Sequence, residues 1–166
     1  MNIVEEFKKI RDIPYRIPLA LGEQDDCCSG KSEKLLKVFQ DNGYQARYRV
    51  CSFRWSDIRL PEDIAKVPHE DDCTHTYLEV LIGDTWKIVD PTWDKGLQKI
   101  LPVNEWDGKS NTQIAVPVQE IFSAERSREL EEYYESRGGM AEDLRKNGAF
   151  YKVFNEWLDR VRTQTL

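Results

Sequence analysis

The chain has 166 residues and a mass of 19.5 kDa, the size of one domain able to bury a core of its own. With 40% hydrophobic and 11% aromatic residues, it is neither intrinsically disordered nor fibrous. Its 24 basic and 30 acidic side chains leave a net charge of −6, which argues against nucleic acid as a partner, because phosphate binding needs a basic face.

Ile3, Phe7 and Ile10 recur at helical spacing with charges between them, so a short amphipathic helix should open the chain and stop before Ile13-Pro14. Residues 14–27 read as loop. A second helix is expected from about Ser29 to Asp41, with Ser29 as its cap and Asn42-Gly43 as its stop. Leu35, Leu36, Val38 and Phe39 form its buried stripe, and Lys31, Lys34 and Lys37 its solvent face. Residues 44–53 alternate and are rich in β-formers, as a strand does. Residues 54–74 hold Pro61, Pro68 and six acids and read as a surface excursion with one helical turn at 61–65. Residues 75–82 and 85–90 predict a hairpin across Gly83-Asp84. A further strand is expected at 113–117, a helix at 119–136 and a last helix at 149–163. Tyr151, Phe154, Leu158 and Val161 share one face of the last helix. Glu125, Arg126, Arg128, Glu129, Glu131 and Glu132 read as a solvated surface. The order predicts a single α+β domain over 1–166, with a core at about 3–117 and a C-terminal helical extension at about 118–166.

No apolar run approaches the roughly 20 residues of a membrane span, so no membrane is expected as a partner. The opening segment carries Glu5 and Glu6 where a secretion signal needs an apolar run. A cytoplasmic protein with reduced thiols is the expectation, and in that setting a cysteine points to catalysis or metal binding before a bridge. There are four: Cys27, Cys28, Cys51 and Cys73.

Cys28 falls at the start of the second helix, His75 opens one hairpin strand and Asp90 ends the other. The unpaired N–H groups of a helix N-terminus favour thiolate, the reactive form of cysteine. Asp25 and Asp26 work against it, so a histidinium partner is needed. His75 and Asp90 should meet at the open end of the ladder, where neighbouring strands lie about 4.8 Å apart. The aspartate would then hold one imidazole nitrogen and leave the other for the cysteine, a triad with thiolate in place of alkoxide. Taken singly, each residue also has an ordinary reading: a small buried thiol, a satisfied strand histidine, an Asp-Pro turn initiator.

Together they match a family. Cys28-Ser29-Gly30-Lys31-Ser32-Glu33-Lys34-Leu35-Leu36, running on to Asn42-Gly43-Tyr44-Gln45-Ala46-Arg47, resembles the first motif of the transglutaminase-like superfamily, in which the nucleophilic cysteine opens a helix. His75-Thr76-Tyr77-Leu78-Glu79-Val80 is similar to the second motif, His-Ala-Trp-x-Glu-Val, with Thr76 for alanine and Tyr77 for tryptophan. Trp86-Lys87-Ile88-Val89-Asp90-Pro91-Thr92 is similar to the third, Gly-Trp-x-x-x-Asp-Pro-Thr, with Thr85 where glycine is common. Ile13-Pro14-Tyr15 is similar to the helix end that precedes the first motif in bacterial members. The resemblance spans roughly residues 3–95, is to a small single-domain bacterial or archaeal member, and does not reach the C-terminal helices.

The resemblance implies a papain-like fold, with the nucleophile helix packed on a small antiparallel sheet that bears histidine and aspartate. It implies a cysteine-dependent acyl-transfer enzyme acting on an amide or isopeptide bond of a peptide, protein or small molecule, by hydrolysis or transamidation, with no cofactor or metal. Catalytic Cys28, His75 and Asp90 follow from it, and the +3 lysine selects Cys28 over Cys27. The Cys28 N–H is one expected oxyanion donor. Gln24 and Tyr15 are side-chain candidates by position, and Trp93 is placed near the site. Arg47 is expected in a structural ion pair. Two alternatives stand beside this reading: an inactive transglutaminase-like binding module, and a zinc site using Cys27, Cys28, Cys73 and His75.

Overall fold

The computed structural model of the protein describes residues 1–164. In chain order these form α1 (Ile3–Arg11), α2 (Cys28–Asp41), β1 (Ala46–Arg54), α3 (Glu62–Ala65), β2 (Asp72–Ile82), β3 (Thr85–Val89), β4 (Glu120–Ile121), α4 (Ala124–Glu135) and α5 (Arg137–Thr163). The architecture is mixed α+β. One antiparallel sheet has the order β3-β2-β1-β4. Among the described residues no helix is long and apolar enough to cross a membrane.

Strand alternation sorts the interior into two clusters, because successive side chains point to opposite faces. Leu78, Val80 and Val89 meet Phe7, Ile10, Leu35 and Phe39, so α1 and α2 cover one face. Cys51, Phe53 and Tyr77 point the other way, where Phe150, Phe154 and Leu158 of α5 pack with Tyr15, Trp55 and Trp93. The C-terminal helices therefore share the main core with residues 3–117 and have no separate core of their own.

The end of α2 follows its sequence signal. Gly43 takes φ +79°, Tyr44 N–H donates to the Phe39 carbonyl (2.9 Å) and Gly43 N–H to that of Gln40 (3.0 Å), the paired bonds of a Schellman cap. The hairpin turns at Gly83-Asp84, with Ile82 opposite Thr85 and Leu78 opposite Val89. Arg47 lies opposite Glu79 and pairs with it at 2.8 Å, while its guanidinium carbon sits 4.0 Å from the Trp86 ring centroid. Arg47 is thus in the structural ion pair expected of it.

Several boundaries differ from the sequence reading. The α2 helix is capped at Cys27, so Cys28 is its first residue and Ser29 its second. Lys31 does not face solvent: it is 0% exposed, and its ammonium donates to the carbonyls of Arg11 and Thr92, both at 2.8 Å. Strand β2 begins at Asp72, three residues early, because β1 extends to Arg54 and pairs with it there. No strand forms at 113–117. The backbone there is taken by side chains: Ala115 N–H by Asp90 (2.8 Å) and the Gln113 carbonyl by Asn104 (2.8 Å). The edge of β1 is met instead by β4, and Val50 N–H by the Ser127 hydroxyl of α4 at 2.9 Å.

Helix α4 starts only where Ser123 caps it. Helix α5 starts at Arg137, twelve residues before the expected 149. Gly138 and Gly139 look like breakers, but glycine is needed for packing at Gly139: a Cβ there would lie 2.1 Å from the Tyr133 carbonyl oxygen.

Candidate active site

Cys28 occupies the first turn of α2, where the backbone N–H groups have no partner within the helix and stabilise negative charge. The acids before it each have a local partner. Asp26 pairs with Lys34 at 3.2 Å, and Asp25 accepts the Cys27 N–H at 2.9 Å, with burial pushing its pKa up.

His75 and Asp90 are brought together as the hairpin register requires. Asp90 lies one step beyond the Leu78–Val89 pair and reaches diagonally to His75. Its Oδ2 is 2.7 Å from His75 Nε2. The two side chains are 3% and 0% exposed. Asp90 is held on every side. Oδ2 also accepts the Ala115 N–H, and Oδ1 accepts the Thr92 N–H (3.1 Å) and hydroxyl (2.5 Å). Its own N–H donates to the Thr112 hydroxyl (3.0 Å), and its carbonyl accepts from the Asn104 amide (3.0 Å). With Nε2 engaged, Nδ1 is the nitrogen left for the neighbouring Cys28 thiol. Serine triads use the ring the other way round, with the aspartate on Nδ1.

The electrostatics follow from these neighbours. The Cys28 thiol is held well below its usual range. A hydrogen bond from the Cys27 thiol is the largest cause, opposed by burial and reinforced by His75 and by the Thr76 N–H. Cys27 is pushed up in turn by that same contact and by burial. Burial lowers the His75 pKa, but Asp90 and the Cys28 sulfur outweigh it and carry it up to about 10. Both shifts favour the thiolate–imidazolium pair over neutral thiol and imidazole.

The site opens on a cleft of about 280 Å³. Its lining includes Tyr15, Trp93, Cys73 and, from the C-terminal helices, Tyr134, Asp143 and Tyr151. Tyr15 is buried, with its N–H held by Asp94 (2.9 Å) and its carbonyl by Arg162 (2.9 Å). Burial and the neighbouring thiols keep its phenol protonated. Trp93 packs at a tilt against Tyr15, ring centroids 4.6 Å apart, and spends its indole N–H on the Ala115 carbonyl (2.7 Å). Gln24 is not brought to the cleft: it is exposed and its amide donates to Asp26 (3.1 Å). All four cysteines are free thiols. Among the described residues no group of three or more His, Cys, Asp or Glu side chains is arranged to hold a metal ion, which leaves Cys27, Cys28, Cys73 and His75 without the geometry of a zinc site.

Sequence reasoning misread one further residue. Glu131 of α4 is 6% exposed, not part of a solvated face. It accepts hydrogen bonds from the Thr76 hydroxyl (2.6 Å) and the Ser29 hydroxyl (3.4 Å). The exposed Glu125, Arg126, Arg128, Glu129 and Glu132 around it do form that face. No charge pattern marks Glu131 apart; only its phase on α4, shared with buried Ser127 one turn earlier, could have.

A scan against protein-family models and searches of curated proteins and of solved structures return no match for the chain.

Proposed function

We propose that the protein is a cysteine-dependent acyl-transfer enzyme with Cys28 as nucleophile, His75 as acid and base, and Asp90 as the orienting carboxylate. The observation that carries this reading is the buried His75–Asp90 pair at 2.7 Å beside a helix-start cysteine whose thiol is held well below its usual range, with Cys28 and His75 on one cleft. A nucleophile helix packed on an antiparallel sheet that bears histidine and aspartate is also the papain-like arrangement implied by the transglutaminase-like motifs.

The chemistry follows from the positions. The Cys28 thiolate attacks an acyl carbonyl, and the new oxyanion meets the Cys28 N–H at the helix start. Tyr15, a protonated phenol in the same cleft, is the side-chain donor that fits; Gln24 is spent elsewhere. His75 Nδ1–H protonates the departing amine, leaving a thioester and neutral imidazole. His75 then takes a proton from water or a second amine as it attacks the thioester, and the thiolate is regenerated. Asp90 keeps the ring in place throughout.

An activated ester tests this without knowledge of the natural substrate. Mixing the protein with p-nitrophenyl acetate is expected to release a burst of about one equivalent of nitrophenolate and leave an acetyl group on Cys28, located by peptide mass spectrometry. Cys28→Ala is expected to lose both. A wild-type chain with no burst, or acetylated as readily without Cys28, would be a binding module and not an enzyme.

A further inference from the structure

The contact between Glu131 and the residues that follow the nucleophile and the histidine points to a role for the C-terminal helices in the reaction. We infer that Glu131 is a positioning residue, clamping the start of α2 to β2 so that the Cys28 sulfur stays against His75 and the Thr76 N–H. This rests on the reading of Cys28 as nucleophile.

The geometry is specific. Ser29 directly follows Cys28, and Thr76 directly follows His75. Both donate their hydroxyls to the same oxygen of Glu131, Oε2, at 3.4 and 2.6 Å. The two contacts span 102 and 55 residues of chain and bring α2, β2 and α4 together. The Thr76 N–H is itself one of the groups holding the Cys28 thiolate, so fixing Thr76 fixes a donor to sulfur. The neighbours of Glu131 supply hydroxyls and no cation. A buried carboxylate without a countercharge is costly, and a structural role alone would be served more cheaply by an apolar side chain.

The surroundings also couple Glu131 to the chemistry. Burial pushes its pKa up to about 7, with Cys28 and Glu135 adding to the effect. The titratable groups facing it are Cys28 from α2, Glu135 from its own helix and Tyr48 from β1. At neutral pH Glu131 is thus only partly ionised, with the Cys28 charge favouring its protonated form. When the sulfur is acylated and loses its charge, the carboxyl can ionise, so the clamp responds to the state of the nucleophile.

The test is the rate of Cys28 alkylation by iodoacetamide across pH 5 to 9, with Cys28→Ala as the blank and the melting temperature followed in parallel. Glu131→Ala is expected to slow alkylation at pH 6 about tenfold, as the sulfur loses the Thr76 N–H and returns toward an ordinary thiol. Glu131→Gln keeps an acceptor oxygen for both hydroxyls, so the rate at pH 6 should be restored. It should also lose an inflection near pH 7 present in the wild-type profile. Glu135→Gln should leave that inflection in place, since Glu135, pushed up to about 7 by burial, titrates in the same range. If Glu131→Ala does not fold, Thr76→Val breaks the same bond from the other side at nearly constant shape and is expected to slow alkylation likewise. A wild-type rate and profile in Glu131→Ala or Thr76→Val overturns the proposal, as does an inflection that survives Glu131→Gln. These outcomes are distinct from failure of the enzyme reading, which would show as a wild-type Cys28 no more reactive than a free thiol.

Discussion

The two walls of the cleft are built by different means. On one wall, α2 and the β2–β3 hairpin present Cys28, His75 and Asp90 through local geometry: a helix start, and a two-residue turn whose register aligns the strands. On the other wall, α4 and α5 reach the site only through tertiary contact, with Glu131 against Thr76 and Arg162 against Asp94 at 2.8 Å. On the proposed reading, the first wall supplies the reacting groups. The second supplies supports for residues adjacent to them. The difference teaches that the reactive groups can be found from sequence spacing, while the groups that hold them are found only from packing.

The sharpest way to break the comparison is at Asp90. Asp90→Asn keeps the shape but offers the imidazole an amide in place of a carboxylate, and the ring loses both its tautomer and the charge that stabilises imidazolium. A loss of about 10³–10⁴-fold in the p-nitrophenyl acetate burst rate is expected, by the scale of the equivalent change in serine triads. The His75 pKa, now about 10, should fall, because burial is then opposed by the Cys28 sulfur alone. NMR titration of the imidazole checks that direction. A burst rate within tenfold of wild type would mean that the motif wall does not depend on its aspartate.

Most of the motif wall was legible because its information is short-range. The Gly83-Asp84 turn determines that Leu78 meets Val89, and from there His75 and Asp90 follow by counting. Asn42-Gly43 fixed the end of α2 in the same way. The second wall was not legible because burial is a property of the assembled chain. Glu131 carries the same sequence signature as Glu129 and Glu132, and only the placement of α4 over β1 hides it. Lys31 failed for a related reason: it looks like Lys34 and Lys37, and its burial depends on carbonyls at Arg11 and Thr92 brought from distant segments. The early start of α5 was not legible because the close approach of Gly139 to the Tyr133 carbonyl cannot be seen in propensity. Tyr15 was named by position, and the Asp94 and Arg162 bonds that hold it were not visible.

Lys31 belongs to both regimes, a motif residue whose role is tertiary. Lys31→Met keeps the stem but leaves the Arg11 and Thr92 carbonyls without a donor, at an expected cost of about 2–4 kcal/mol in urea unfolding. The pH dependence gives a second check. Burial holds the Lys31 pKa down to about 8, below the unfolded value near 10.4. The unfolded chain therefore binds more protons between those limits, and stability gained through this group rises as pH goes from about 8 to 10. Lys31→Met should lack that rise. An unfolding midpoint that is unchanged by the substitution would mean that the Asp90-Pro91-Thr92 turn holds without its link to α2.

The smallest expected effect separates the walls by charge. Asp25, Glu70, Asp72, Glu135, Glu142 and Asp143 line the cleft against Lys146 and His75, and Lys146 is shared between Glu70 (3.6 Å) and Glu142 (3.7 Å). A cleft lined by one sign of charge concentrates ions of the other sign. A cationic methanethiosulfonate should therefore modify Cys28 several-fold faster than an anionic one of equal size, after correction for their rates with a free thiol. Because Glu70, Asp72 and Glu135 are exposed, raising the salt from 0.05 to 0.5 M should shrink the ratio, as screening shortens to a few ångströms. Glu142→Gln with Asp143→Asn removes charge from the α5 wall alone and should lower the ratio without touching the thiolate itself, whose rate with neutral iodoacetamide serves as the control. A ratio of one at low salt would mean that reagents reach Cys28 without passing the C-terminal wall, and that this wall supports the site without shaping entry to it.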